Sequence, residues 1–157
     1  MANTMRWRYG DTNPVMMAVD SGTVIEIGDL ILQDTDDAKP ASLQTDQGTE
    51  SANQQLFHDL FAGVAMQASP DGSTEPIRIA TSGVFEFDCP SATLEVGDLM
   101  GADENAAGTA LLNQTVVEVT NATHAIGRCV KRVNPAGTKV LVDIVSSVVK
   151  GGAQTIL

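Results

Sequence analysis

The sequence predicts an all-β protein with one short helix: a β-barrel or sandwich built from two related β-units, preceded by an extended N-terminal arm. Three observations predict it. First, "VIEIGDLI" at Val24–Ile31 returns as "TLEVGDLM" at Thr93–Met100, with four of eight letters identical and three apolar swaps. Second, seven to ten short runs of alternating apolar and polar residues are separated by Gly, Pro and Asn, the pattern of barrels and sandwiches. Third, aromatics make up only 4% of the chain against 43% hydrophobic residues, so the core must be assembled from Val, Ile, Leu, Ala and Met.

Residues 1–20 read as an arm. They mix Asn, Thr, Pro and Gly with "RWRY" and "VMMAV" and show no sustained period. Residues 21–150 read as one barrel-like domain. Its first strand signal is "TVIEI", where Ile25 and Ile27 alternate with Val24 and Glu26. Gly28-Asp29 then breaks the strand as a tight turn, glycine tolerating positive φ and aspartate accepting from nearby backbone N–H groups. Residues 36–61 hold an insertion: a polar loop through about residue 50, containing Pro40 and Gly48, then a short helix over Ser51–Phe61. Ser51 or Asn53 is the expected cap, and Leu56, Phe57, Leu60 and Phe61 the apolar face. Strands follow at "GVAMQA", "PIRIATSGVFEFDC", "ATLEVGDLMGA", "TVVEV", "AIGRCVKRV" and "VLVDIVSSVV", with turns at "SPDGSTE" and "NPAGTK". Residues 151–157 are a tail with no clear partner in the chain.

The repeat extends beyond the Gly-Asp turns. Gly63–Val84 and Gly127–Val148 both run strand, Pro/Gly turn, alternating strand. Two related units would each leave an apolar face bare, and together they bury it. The chain of 157 residues is long enough to remove about 70% of its unfolded surface from water.

A net charge of −11 excludes a nucleic-acid surface, which needs clustered cations to displace counterions, and opposes binding to anionic membranes. No apolar run approaches the roughly 20 residues of a helical membrane span. The N-terminus lacks an apolar signal-peptide core, so the expectation is a protein made and used without secretion. Two cysteines, Cys89 and Cys129, are too few for a disulfide scaffold; they read as small apolar residues kept reduced or as a single bridge.

Catalytic signatures are not found. The two histidines, His58 and His124, read as surface and loop residues: Asp59 beside His58 points elsewhere on a helix, and there is no G-x-S-x-G elbow. Asp29 and Asp98, like Glu26 and Glu95, fall at matching repeat positions. Duplication at a turn suits a structural cap better than an acid and a base, which need unlike surroundings. Gly28, Asp29, Gly97 and Asp98 are therefore structural turn residues. No Cys-x-x-Cys, His-x-x-x-His or EF-hand loop occurs, and "DTDD" at 34–37 reads as a solvated acidic loop. No catalytic, cofactor or metal site is expected.

The exceptional stretch is Arg6-Trp7-Arg8-Tyr9, which holds the only Trp and the only Tyr. Trp, Tyr and Arg dominate binding hot spots because they join large apolar area to a polar end. They either dock a partner or begin a strand and plug one end of the barrel.

At Ala80–Phe87 ("ATSGVFEF"), Val96–Asp103 ("VGDLMGAD"), Ile126–Val130 and Val140–Ile144 the chain resembles the capsid cement, or head-decoration, proteins of tailed bacteriophages. The likeness covers about residues 25–149. The polar insertion Lys39–Asn53 and the arm depart from the shorter members. The resemblance implies a non-enzymatic structural protein on the outer surface of an assembled head, made in the bacterial cytoplasm. It would bind the major capsid protein between capsomers, often as a homo-oligomer and typically a trimer, with no cofactor, nucleic acid or membrane. Arg6, Trp7, Arg8 and Tyr9 are then the candidate capsid-binding residues. A ligand- or glycan-binding β-module is the alternative, and would require a pocket lined by exposed aromatics.

Overall fold

The computed structural model describes residues 3–151. Eleven strands carry the fold: β1 (Trp7–Tyr9), β2 (Val15–Met17), β3 (Leu30–Asp34), β4 (Asp37–Pro40), β5 (Phe61–Ala65), β6 (Ile77–Ala80), β7 (Ser82–Leu94), β8 (Leu99–Glu104), β9 (Leu111–Glu118), β10 (Gly127–Cys129) and β11 (Val133–Val145). One α-helix, α1 (Glu50–Leu60), links β4 to β5. The fold is all-β, as the alternation predicts.

The strands form two sheets, ordered β2-β6-β5-β3-β4 and β1-β7-β11-β10-β8-β9. Without β1, both follow one plan: β2, β3, β4, β5 and β6 of unit 1 stand where β7, β8, β9, β10 and β11 stand in unit 2. A parallel bridge between Asp88 and Thr115 joins β7 to β9 and closes unit 2 into a five-stranded barrel. In unit 1 the corresponding closure is one hydrogen bond, Ala38 N to Ala18 O at 2.9 Å, which draws β4 to the residue after β2.

Individual bonds repeat as well. Gly28 N donates to Ala65 O and Ala65 N to Asp29 O, both at 2.9 Å; in unit 2, Gly97 N donates to Cys129 O and Cys129 N to Asp98 O, both at 2.8 Å. Ile25 pairs with Ser69 as Leu94 pairs with Val133. Gly63 on β5 and Gly127 on β10 also correspond: a Cβ on either would overlap a carbonyl oxygen of the adjacent strand, that of Ala80 or of Asp143. Glycine is required where two backbones approach this closely. The repeated text therefore encodes a repeated structure.

Strand alternation distributes the apolar residues. Leu30 and Leu32 enter the larger core, which gathers Phe57 and Phe61 near α1 with Phe85, Phe87, Met100, Val142 and Ile144 from unit 2. Ile31, between them, enters a smaller cluster with Ile25, Ile77 and Ile79. The larger core is common to both units, so neither is buried without the other.

Several expectations change. Residues 24–27 give only the isolated Ile25–Ser69 bridge, and the strand begins after the turn, at Leu30. The polar segment after residue 36 contains β4, because Asp37, Ala38 and Pro40 are buried against β3 despite their composition. Helix α1 is capped by Thr49, whose Oγ1 accepts from Ala52 N at 3.1 Å, and not by Ser51 or Asn53. Asn53 is buried and bonds Asp46 and Glu104 instead. The "NPAGTK" turn is part of β11, which runs through it with two register shifts against β7. Bulges of this kind let a long strand bend around a barrel. The N-terminal arm is extended but attached: β2 pairs with β6 as a shared strand of unit 1, and β1 pairs with β7 as the one strand added to the common plan. Of the tail, residues 152–157 lie outside the described residues.

Candidate functional site

The N-terminal hot-spot motif is divided: Arg6, just before β1, is buried, while Trp7, Arg8 and Tyr9 are exposed. Arg6 is only 2% exposed. Its guanidinium donates to Gln114 Oε1 at 2.7 Å and to Glu86 O at 3.1 Å, and pairs with Asp88 at 3.4 Å. Arg6 is therefore corrected from a surface contact to an internal anchor. Burial pushes the Asp88 carboxyl up, but Lys139 and Arg6 beside it hold it below the usual range.

Trp7 and Tyr9 face outward, 40% and 53% exposed, and Met5 continues the same spacing at 44%. They do not plug the barrel. The Trp7 indole N–H donates to Gly10 O at 3.0 Å, fixing the ring to its own turn. Arg8 bonds Glu86 at 3.1 Å and donates to the carbonyls of Met5 and Trp7, both at 3.2 Å. The result is an ordered apolar stripe, Met5–Trp7–Tyr9, with one arginine at its side. Met5 is the member the motif did not single out.

The Gly-Asp turns share a geometry and differ in surroundings. Asp29 Oδ2 accepts from Glu26 N at 2.9 Å, and Asp98 Oδ2 from Glu95 N at 2.8 Å. Gly28 and Gly97 have φ of +99° and +97°, a region that favours glycine. Around Gly28 the space is filled: a Cβ there would meet Thr4 O at 2.5 Å, with Gln114 and Arg6 near. Asp29 is buried, which raises its carboxyl above the ordinary range, and it accepts from Gln114 Nε2 at 2.8 Å. A chain Arg6–Gln114–Asp29 thus ties the N-terminal segment, β9 and the first turn together. A Cβ on Gly97 would meet nothing within 4 Å, and Arg128 donates to the Gly97 carbonyl at 2.9 Å.

Two carboxyl pairs lie elsewhere. Asp37, buried in β4, is pushed up to about 6 by burial and by its hydrogen bond with Asp20. Asp103 is pushed up to about 6 by burial and by its bond to Glu50. Cys89 and Cys129 are both free and buried. His58 Nδ1 lies 2.6 Å from Ala125 O, and His124 ends a short 3-10 helix over Ala122–His124. Among the described residues, no group of three or more His, Cys, Asp or Glu side chains is placed to hold a metal ion, and no helix is long and apolar enough to cross a membrane.

A cleft of about 480 Å³ lies on unit 2 over β8, β10 and β11. Val96, Leu99, Ile126, Val130 and Val145 line it together with Arg128, and its lining contains no Trp, Tyr or Phe.

No protein-family model and no curated protein matches this chain. Among solved structures, it is similar to the N base of the head fibre gp8.5 of bacteriophage phi29, with a TM-score of 0.46 and 13% identity over 83% of this chain and 93% of that one. A likeness of that degree assigns neither function nor partner.

Proposed function

We propose that this chain is a non-enzymatic structural protein of a tailed-bacteriophage virion, a decoration protein that binds the outer surface of the assembled head between capsomers. The observation that carries the reading is the Met5–Trp7–Tyr9 stripe. Aromatic side chains held rigid and exposed on an anchored strand lose little entropy when a partner covers them, which is what a docking surface needs. The sequence resemblance to capsid cement proteins supports it, as does the strongly acidic chain at −11, suited to the outside of a shell packed with DNA. The conspicuous carboxylates support it too: Asp29, Asp88 and Asp98 are each engaged in holding backbone or a neighbouring cation.

The mechanism is linkage. A protein that binds only the expanded shell stabilises that shell by RT ln(1+[L]/Kd), about 2.7 kcal/mol per site at a hundredfold excess over Kd. Summed over a head, modest terms oppose internal DNA pressure, and bridging of neighbouring capsomers adds avidity. The major capsid protein is the proposed partner, with Trp7, Arg8 and Tyr9 in the contact.

Co-sedimentation with expanded empty heads lacking this protein tests the reading. Wild type should pellet with heads, and Trp7→Ala with Tyr9→Ala should stay in the supernatant at unchanged circular dichroism. Equal pelleting of both proteins would remove the stripe from the contact, and failure of the wild type to pellet would remove the head.

A further inference from the structure

The two units close at corresponding seams, and the seams differ in charge. In unit 2 the closure is the bridge between Asp88 and Thr115, and the Asp88 carboxylate is held by Arg6 and Lys139. In unit 1, β2 and β4 keep with β6 and β3 the registers that β7 and β9 keep with β11 and β8. Ala18 therefore stands where Asp88 stands, and Asp37 where Thr115 stands. The closure of unit 1 is the bond from Ala38 N to Ala18 O at 2.9 Å. Carboxylates flank it on both sides: Asp20, just beyond Ala18, and Asp37 on β4.

These two carboxyls meet across the seam. Asp37 is only 4% exposed, its side chain touches that of Asp20, and its Oδ2 is buried without a hydrogen-bond partner among the described residues. Asp20 is exposed, and its place is fixed by a turn in which its carbonyl accepts from Thr23 N at 3.0 Å. The other charged groups facing Asp37 are Asp36 and Lys39. Lys39 is engaged by Asp34, so one lysine stands against the carboxylates of Asp20, Asp34, Asp36 and Asp37. Burial and Asp20 both raise the Asp37 carboxyl, the mark of a charge held out of water beside a like charge. The seam of unit 1 thus has the carboxylates of its counterpart without the two cations that hold them there.

The ligand class follows from the donors. Carboxylate oxygens suit hard cations. Magnesium is commonly held by one or two carboxylates and keeps several waters, and calcium takes the same oxygens in looser geometry. Neither residue offers the sulfur or imidazole that softer metals select. We propose that Asp20 and Asp37 bind one hard divalent cation, calcium or magnesium, which bridges the seam between β4 and the residues after β2. The cation does for unit 1 what Arg6 and Lys139 do for unit 2, and water on the exposed side of Asp20 completes its shell. The site stabilises the closed unit and does not depend on binding to a phage head.

Thermal unfolding of chelator-treated protein tests this, in calcium chloride, magnesium chloride or sodium chloride of equal ionic strength. The working pH is about 7.5, above the Asp37 value of about 6. With a Kd of about 10⁻⁴–10⁻³ M, the tighter-binding divalent cation at about 10 mM should raise Tm by about 5 °C over sodium chloride. Asp20→Asn, at an exposed position, and Asp37→Asn, of the same shape, should each fold and lose that rise. Asp103→Asn, which alters the carboxyl pair with Glu50, should keep it. Manganese, a paramagnetic stand-in, should broaden the amide resonances of residues 18–20 and 36–39 before others. No rise over sodium chloride, or a rise that survives either substitution at the seam, overturns the proposal and leaves the pair joined by a proton alone. So does loss of the rise in Asp103→Asn, or broadening centred on Glu50 and Asp103, which would assign the cation to that pair.

Discussion

In unit 1 the Gly28-Asp29 turn lies beneath Thr4 and Arg6 and is bonded by Gln114, whereas in unit 2 the Gly97-Asp98 turn carries the same backbone bonds, is touched by the exposed Arg128 and has open space above Gly97. The same contrast holds for the faces beside the turns: Leu30 and Val64 are wholly buried, while Arg128 is exposed. Strand order, registry and the close-approach glycines are common to both because they are conditions for building the barrel at all. Burial is not common to both, because each unit meets different neighbours. The β3–β5–β6 face of unit 1 is buried in the common core, whereas the equivalent face of unit 2 stays open.

Positions shared by the units should be equally intolerant, and positions that differ in surroundings should respond differently. The largest effect is expected at the shared glycines. Gly63→Val and Gly127→Val each force a side chain into a carbonyl of the adjacent strand, so each should cost more than about 3 kcal/mol or prevent folding. Chemical denaturation measures it, and tolerance at either position would break the structural equivalence. Next, Asp29→Ala should cost roughly 2–3 kcal/mol because it removes the shorter of two bonds made by the buried Gln114 amide as well as the acceptor of the turn N–H, while Asp98→Ala, at an open turn, should cost about 1 kcal/mol or less. Equal losses would mean that the covering of the first turn contributes nothing.

The smallest effect concerns pH. Asp37 and Asp103 both have folded-state values raised to about 6. Each therefore favours folding while protonated, and this contribution is fully present below the unfolded value near 4 and is lost as pH rises through about 6. Tm should fall from these groups between about pH 4 and pH 6 and level off above about pH 7. Asp37→Asn should reduce the slope and raise Tm at pH 8 on the order of 5 °C. An unchanged slope would show that Asp37 is ionised at little cost, with Lys39 and solvent balancing Asp20.

The repeat, the all-β class and the helix were legible because their signals are local: alternating strands, a duplicated Gly-Asp turn, and Phe57 and Phe61 at helical spacing. β4 was not, since Asp37 and Lys39 read as loop and only pairing with β3 buries their backbone. The continuous β11 was masked by Asn134, Pro135 and Gly137, ordinary turn residues that here sit at register shifts. The aromatic motif was conspicuous, but its division was not. That Arg6 turns inward depends on Gln114 and Asp88, both far away in sequence, and no local pattern announces partners at that separation. The cleft on unit 2 was equally invisible, because exposure of Val96 and Val145 follows only from which faces the two units bury against each other.

Hydrogen–deuterium exchange, comparing the isolated monomer with the protein assembled on heads, tests most directly whether the exposed stripe and the open unit form the working surfaces. New protection should appear at residues 5–9 and at residues 96–99 and 126–130, while residues 28–30, already buried in the monomer, should show no gain. Protection confined to β4 and α1, with the stripe and the second turn exchanging as before, would contradict the account.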